Sequence, residues 1–365
     1  MAVSPFTISV PDATLLDLQS RVRATRWTDS VEGGGWDYGT DIGFLKTVMT
    51  YWSEEFDWRV AEKEMNQHEH VLVDACGLKV HALIQRAADP LSPALILLHG
   101  WPDTFWRYSK VLPLLKDFTL VVPSLPGYGF SERPTRRGVG TERMADVMVE
   151  MMSALGFESY FVHGGDIGGF VASDIAHRHP TVVRGLHITD LDGHLPDAIP
   201  ADATKDELAY FAYVAEWTKN EGAYWALHNT KPQTAAVALN DSPAGLASWI
   251  IEKLRAWSDC GGDILTRFTM DDLLTNLTIY WATQTIGPSF RSYYEGNTTG
   301  RTFTIDIPTG IATFPAEILK APRSIAERFY NVVRWSEFPT GGHFTAFEEP
   351  ELFAGDLSDF IRGLS

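Results

Sequence analysis

The sequence predicts an α/β fold, in which helices cover both faces of a mostly parallel β-sheet. Four short runs of mostly apolar residues alternate with helical stretches in the middle of the chain, at residues 94–98, 119–122, 160–162 and 183–188. Strands that are apolar on both faces must be buried on both faces, and a parallel sheet between two helical layers buries them in this way. Two later runs, at 303–307 and 332–335, are further strand candidates.

A long insertion interrupts this pattern. About 110 residues separate the strand candidates at 183–188 and 303–307, too many for an unstructured loop in a compact domain. Apolar residues within it have helical spacing, as in Leu208, Phe211, Ala212 and Ala215. We therefore predict a helical lid over residues 191–301, which divides the α/β core into residues 89–190 and 302–365.

The first 88 residues form an N-terminal extension that is rich in Trp and acidic residues and looks mainly helical. Pro11 and Asp12 precede the apolar spacing of an amphipathic helix. Two β-like runs follow, at 70–74 and 78–85, and the turn-forming pair Cys76-Gly77 separates them. The sequence therefore predicts a helical and meander extension over residues 1–88.

Composition excludes several classes of function. The 30 Lys and Arg residues against 47 Asp and Glu give a net charge of −17, which repels nucleic acids and anionic lipids. The chain has no apolar run of about 18 residues, and its start lacks a cationic stretch followed by an apolar one. We therefore expect no membrane span. Two cysteines are too few for a disulfide framework and suit a reducing compartment, so we expect a cytoplasmic protein. A homodimer is compatible with these features.

The segment 159–179 has the pattern of a strand, a tight turn and a helix, with Asp166 at the turn. This is the context of the nucleophile elbow in the α/β-hydrolase fold. Gly164 and Gly168 flank the turn, where close approach of strand and helix leaves no room for a side chain. The helix N-terminus would also favour an ionised carboxylate at this position. The alternative is that Asp166 only caps the helix, because aspartate is a favoured N-cap residue.

An aspartate at the elbow selects a particular chemistry. The chain contains no G-x-S-x-G motif, which argues against a serine esterase. A serine that opened an epoxide would leave a stable ether, whereas a carboxylate leaves an ester that water can cleave. Because an ordinary aspartate is ionised at neutral pH, Asp166 needs no base for its attack. The pattern therefore favours substrates with an electrophilic sp³ carbon, such as epoxides or alkyl halides.

The base for the second step is predicted at His343, in a Gly-Gly-His-Phe loop that follows the last strand candidate. The fold places its histidine third, after the nucleophile and the acid, and a neutral imidazole can deprotonate water near pH 7. Glu317 has the best position for the acid. Asp306 lies inside the strand candidate at 303–307, but the residues alone leave Asp190 and Asp192 open, since they follow the strand candidate at 183–188.

Backbone N–H groups complete the predicted site. In this fold, one oxyanion donor comes from the loop after an early strand and the other from the residue after the nucleophile, which here points to Trp101 and Ile167. His68 and His70 lack a convincing third ligand for a metal ion, so strand-edge or solvent-exposed roles are favoured. We expect neither a metal nor an organic cofactor.

From about Pro5 to its C-terminus, the chain resembles the microsomal-type epoxide hydrolase family. The motifs that carry the resemblance are TRWTDS, HGWP, GGDIGG, FPAEI and the long, specific GGHFTAFEEPEL. The resemblance implies a small-molecule epoxide as substrate and a diol as product, with Asp166 as nucleophile, Glu317 as acid and His343 as base. It thereby favours Glu317 over the other acids.

The same resemblance implies two lid tyrosines that hold the epoxide oxygen. The segment EGAYWALHNTKP aligns Tyr224 with the first, and RSYYEGN aligns Tyr293 with the second, where Tyr294 is the alternative. The family often has Trp after the nucleophile, but this chain has Ile167, which should change the pocket wall and the substrate preference. Detoxification and natural-product biosynthesis are both compatible with this interpretation.

Two other functions compete with epoxide hydrolysis. A dehalogenase of the same fold also uses an aspartate nucleophile, but it often holds halide with a tryptophan beside that aspartate, where this chain has Ile167. A non-catalytic protein that binds a small ligand is the alternative from another class. The complete set of Asp166, Glu317 and His343 argues against it.

Overall fold

A computed structural model describes residues 2–191, 199–296 and 303–364. Its described strands form one nine-stranded sheet: β1 Val3–Phe6, β2 Glu69–Ala75, β3 Leu78–Gln85, β4 Ala94–Leu98, β5 Thr119–Pro123, β6 Tyr160–Gly164, β7 Val183–Ile188, β8 Ile305–Thr313 and β9 Tyr330–Glu337.

The sheet order is β1-β2-β3-β5-β4-β6-β7-β8-β9. The pairs from β1 to β3, and β3 with β5, are antiparallel, and all pairs from β5 to β9 are parallel. The mostly parallel α/β sheet is therefore confirmed.

Two strand predictions need correction. Strand β8 begins two residues later than predicted and runs on to Thr313, because Pro308 and Gly310 interrupt the apolar pattern without ending the strand. Strand β1 was missed because it has only four residues and contains Pro5, which an edge strand tolerates.

The described helices are α1 Asp12–Arg23, α2 Ile42–Glu54, α3 Trp58–Met65, α4 Thr141–Ala154, α5 Ile167–Arg178, α6 Lys205–Glu221, α7 Ala223–Thr230, α8 Pro232–Asp241, α9 Pro243–Trp257, α10 Met270–Thr283, α11 Ile286–Glu295, α12 Arg323–Ala326, α13 Thr345–Glu348 and α14 Pro350–Gly363. Single 3₁₀ turns cover Phe105–Tyr108, Leu112–Leu114, Pro180–Val182 and Ile264–Thr266. No helix in the three described ranges is both long enough and apolar enough to cross a bilayer.

Helices bury the central strands from both sides. Along β4, Leu95 and Leu97 belong to a core with α14, whereas Ile96 and Leu98 belong to a core with α4 and α5. Each of these four side chains is 0% exposed. Successive side chains of the strand thus face two apolar cores in turn, as the continuous apolar runs predict.

Helices α6 to α11 form a helical insertion between β7 and β8, and α10 fixes it to the core. Asn276 donates to the carbonyl of Pro102 at 2.8 Å, and the hydroxyl of Tyr280 donates to the carbonyl of Asp103 at 3.0 Å. Both carbonyls lie just after β4. The insertion therefore sits over the end of the strand from which the predicted oxyanion loop departs.

The N-terminal extension contacts the same insertion. The indole of Trp52 on α2 donates to the hydroxyl of Thr278 on α10 at 3.0 Å, across 226 residues of sequence. Thr40 donates to the carbonyl of Ser248 on α9 at 2.8 Å. The extension thus packs on the insertion as well as on the sheet.

The first turn of α5 lies directly against β4. A Cβ atom on Gly168 would lie 2.1 Å from the carbonyl oxygen of Leu98, which is backbone and cannot rotate away. We expect Gly168→Ala to lower the free energy of unfolding by about 3 kcal/mol, the upper part of the range for overpacking. Urea unfolding followed by tryptophan fluorescence measures this loss.

Gly355→Ala is the matched control, because Gly355 lies on the exposed face of α14 with nothing within 4 Å of an added Cβ. Alanine in a helix should there raise stability by about 0.5–1 kcal/mol. Equal stability changes in the two variants would contradict the close contact at Gly168.

Candidate active site

Asp166 occupies the turn between β6 and α5 in a strained backbone conformation. Its φ of +54° and ψ of −132° are unusual for a residue with a side chain. The turn is tight enough that a Cβ atom on Gly164 would lie 2.1 Å from the carbonyl oxygen of Gly168. This is the geometry that the glycine spacing predicts for a nucleophile elbow.

The carboxylate of Asp166 does not cap the helix that it precedes. Although Asp166 stands at the N-cap position of α5, its side chain makes no capping hydrogen bond. Instead, its Oδ1 accepts the backbone N–H of Trp101 at 2.7 Å. The residue is only 7% exposed. Helix capping therefore does not account for this aspartate.

His343 lies on the loop after β9 and faces both carboxylates. Its Nδ1 is 2.6 Å from Oε1 of Glu317, and its Nε2 is 3.5 Å from Oδ2 of Asp166. The backbone N–H of His343 also donates to the carbonyl of Trp257 at 2.9 Å, which joins the loop to the end of α9. The three predicted groups thus form one buried array.

Opposing effects set the pKa of His343. Burial alone would lower it, but the carboxylates of Glu317 and Asp166 raise it, and the net pKa lies well above the ordinary histidine value. Because the ring sits between two acids, the charge on Asp166 helps to decide whether His343 is protonated.

The other candidates for the acid have different positions. Asp306 lies in β8 with an exposed side chain, and Asp192 is outside the described residues. Asp190 is buried close to the site, but its Oδ2 accepts the backbone N–H of Asp166. Burial and the nearby charge of Glu317 raise the pKa of Asp190 to about 7. Asp190 therefore supports the elbow rather than the imidazole.

A buried ion pair beneath the site was not predicted. The Asp103 carboxylate lies 2.7 Å from the guanidinium of Arg107, whose Nη2 also donates to the carbonyl of His343 at 3.3 Å. Asp103 Oδ1 accepts the N–H of Gly100 at 3.0 Å. The pair thus braces the loop after β4 and the histidine loop together. The two side chains are only four residues apart, but the bond from Arg107 to His343 joins positions 236 residues apart, which local spacing does not signal.

The two predicted oxyanion donors flank Asp166. Trp101 already donates its N–H to the carboxylate. Ile167 is the first residue of α5, and the N–H groups of a first helical turn have no partner within the helix. Both groups therefore lie where negative charge on an oxygen of Asp166 could be stabilised.

Tyr224 on α7 and Tyr293 on α11 meet over the same loop. Their ring centroids are 6.3 Å apart, and they lie 5.3 and 6.2 Å from the Trp101 ring. Both residues are buried, at 6% and 4% exposure, whereas Tyr294 is 54% exposed. The structure therefore brings Tyr293, and not Tyr294, to the site.

The hydroxyl of Tyr293 is buried and has no hydrogen-bond partner in the part of the chain that the structure describes. Burial, followed by the negative charge of Asp166, raises its pKa well above the ordinary tyrosine value. Tyr293 is therefore a neutral phenol beside a carboxylate, with a donor that a ligand oxygen could accept.

In the described ranges, no group of three or more His, Cys, Asp or Glu residues is placed so that it could hold a metal ion. His70, predicted at a strand edge or in solvent, is instead 4% exposed. Its Nδ1 is 2.9 Å from His81 and its Nε2 is 2.8 Å from the carbonyl of Met65. Its partners show a structural role in the core.

The sheet order, the aspartate elbow and the histidine loop define a protein of the α/β-hydrolase fold. A model of that fold matches residues 93–247, and a model described as the epoxide hydrolase N terminus matches residues 3–108. Epoxide hydrolase 1 from Oryctolagus cuniculus is 33% identical, over 99% of this chain and 89% of the rabbit protein. This chain therefore belongs to the epoxide hydrolase family.

Solved structures agree with this assignment. The crystal structure of juvenile hormone epoxide hydrolase from Bombyx mori is similar with a TM-score of 0.91 and 30% identity, over 100% of this chain and 95% of that one. The epoxide hydrolase of Aspergillus niger gives a TM-score of 0.90 and 29% identity, over 100% and 97%. The chain is thus an epoxide hydrolase, an enzyme that acts on an ether bond.

Proposed function

We propose that this enzyme converts an epoxide into a vicinal diol through a covalent ester on Asp166. The observation that carries the proposal is the buried array of Glu317, His343 and Asp166, with contacts of 2.6 and 3.5 Å. The strained elbow and the neighbouring phenols of Tyr224 and Tyr293 support it.

In the first step, Oδ2 of Asp166 attacks a ring carbon while Oδ1 stays on the N–H of Trp101. The carbon–oxygen bond of the ring breaks, and its electron pair goes to the epoxide oxygen. Tyr224 and Tyr293 donate hydrogen bonds to that oxygen, and one phenol gives it a proton. A phenol is far more acidic than the alcohol that forms, so this transfer is downhill.

In the second step, His343 removes a proton from water, and the hydroxide adds to the ester carbonyl of Asp166. The N–H groups of Trp101 and Ile167 stabilise the oxyanion. Its collapse expels the diol, whose oxygen takes the proton from His343. Asp166 is released as a carboxylic acid. Its proton passes to the phenolate that the first step left, which restores both the Asp166 carboxylate and the phenol.

The charge of Asp166 couples the two steps. While Asp166 is ionised, it helps to raise the pKa of His343. The ester is neutral, so its formation removes one of the two carboxylates that hold the proton on the ring. Alkylation of Asp166 thus lowers the pKa of His343 and favours the neutral base that the second step requires.

Turnover in ¹⁸O-labelled water tests the covalent route. Water enters the ester carbonyl, so repeated cycles should place label in the peptide that contains Asp166, which mass spectrometry detects. Label in the diol alone would mean direct attack by water and would overturn the proposal. Parallel incubation with a haloalkane, assayed for free halide, tests the competing dehalogenase.

Removal of one phenol should slow ring opening selectively. Because the Tyr293 hydroxyl is buried beside Asp166, we expect Tyr293→Phe to lower kcat/KM by about 10²-fold, the loss typical of one donor to a developing oxyanion. Tyr294→Phe is the control, since that side chain is 54% exposed. Equal losses in the two variants would remove Tyr293 from the proposed site.

A further inference from the structure

Three aromatic rings that contact residues of the proposed site carry N–H groups without a role in the proposed reaction. Trp101 Nε1, Trp257 Nε1 and His228 Nδ1 are buried nitrogen atoms without a hydrogen-bond partner among the residues that the structure describes. Their residues are 0%, 1% and 0% exposed. Buried polar atoms are nearly always paired, so these three N–H groups are free to donate to a bound molecule.

These three rings belong to the wall of the site. The Trp101 ring lies 4.9 Å from that of His228 and 6.0 Å from that of Trp257. Trp257 in turn lies 5.5 Å from the ring of His343, and His228 lies 4.9 Å from that of Tyr293. Each ring is therefore adjacent to a group that would touch the epoxide or its ester.

The free nitrogen of His228 is a donor. Its Nε2 accepts the indole N–H of Trp249 at 3.3 Å, so the proton of the neutral ring is on Nδ1. Burial, with a smaller effect of the Lys253 charge, lowers the pKa of His228 to about 3, which keeps the ring neutral at physiological pH. The ring also stacks on Phe290 with centroids 3.7 Å apart, which fixes its orientation.

The three groups cannot satisfy one another, because an indole N–H and a protonated Nδ1 are all donors. A bound molecule that satisfies them must bring acceptor atoms. The epoxide oxygen cannot be the acceptor for these three groups, since it accepts hydrogen bonds from the phenols of Tyr224 and Tyr293 in the proposed reaction.

We propose that Trp101, Trp257 and His228 form a donor-lined subsite for a second oxygen of the substrate. The preferred substrates are then epoxides with an ether, ester or hydroxyl oxygen next to the ring, such as glycidyl ethers, rather than plain hydrocarbon epoxides. This specificity rests on the proposed epoxide hydrolysis at Asp166.

Two substrates of nearly equal shape test the subsite. Phenyl glycidyl ether and 4-phenyl-1,2-epoxybutane differ by one ether oxygen in place of a methylene group. The wild type should prefer the ether, and His228→Phe should reduce the ratio of the two kcat/KM values by about 5- to 10-fold, as expected for one lost hydrogen bond. His228→Asn, whose amide nitrogen lies close to the position of Nδ1, should restore the ratio.

Trp257→Phe gives an independent measurement, and it should reduce the same ratio. An unchanged ratio in both variants, including one that results from equal losses on the two substrates, would overturn the subsite. The N–H groups would then donate to water or to neighbouring rings. Failure of the wild type to hydrolyse either epoxide would instead overturn the proposed function.

Discussion

Asp166→Ala should abolish diol formation, with a loss in kcat of at least about 10⁴-fold, as for other groups of a catalytic array. Alanine has no oxygen that could attack the ring, and water at the same place would lack the position and the charge of the carboxylate. Asp166→Asn should be equally inactive, because its amide has a similar shape but is a poor nucleophile. Steady-state diol production measured by chromatography tests both variants.

Asp306→Ala is the matched control for the nucleophile. Asp306 is an aspartate of the same sheet, but it is exposed on β8. Its variant should keep the wild-type rate. A diol-forming Asp166→Ala enzyme would mean that another group, or water itself, opens the ring.

His343→Gln should separate the two steps. Its amide cannot take a proton from water, but the carboxylate of Asp166 remains and still attacks. We expect the steady-state rate to fall by about 10⁴-fold or more, after a single rapid turnover that consumes one equivalent of epoxide. Intact-protein mass spectrometry should then show an increase equal to the mass of the substrate, located on the Asp166 peptide.

A suitable control is His177→Gln, since His177 is exposed near the end of α5 and its ring stacks on Phe303 at 4.0 Å. That variant should turn over normally and carry no adduct. Loss of activity in His343→Gln without an adduct would place the histidine in ring opening rather than in ester hydrolysis.

Much of the fold could be predicted from the sequence because its central strands are apolar on both faces. Continuous runs such as that of β4 permit few other arrangements, and the glycines around Asp166 mark a turn that has little structural freedom. Strand β8 was less predictable. Its Pro308 and Gly310 resemble a strand end, yet the strand continues between β7 and β9 because its neighbours supply the pairing.

The site was predictable where one residue follows a recognisable element, as for Asp166 after β6 and His343 after β9. The supports of the site were not. Asp190 is a candidate for the acid that orients His343. Whether its carboxylate contacts the imidazole or the N–H of Asp166 depends on differences in position of a few ångströms, which the sequence does not specify. The bond from Arg107 to the carbonyl of His343, and the meeting of the His228 and Trp257 rings with Trp101, depend on contacts between distant segments, which local spacing does not encode.

The hydrogen bond between Trp52 and Thr278 has a consequence for the folding of the whole chain. It joins two residues that are separated by more than half the sequence. Removal of the first 88 residues would expose apolar surface on α9 and α10 and would leave the hydroxyl of Thr278 without the indole of Trp52. We therefore expect the first segment to unfold together with the catalytic core as one cooperative unit. Attempts to trim this enzyme for expression or crystallisation should begin elsewhere.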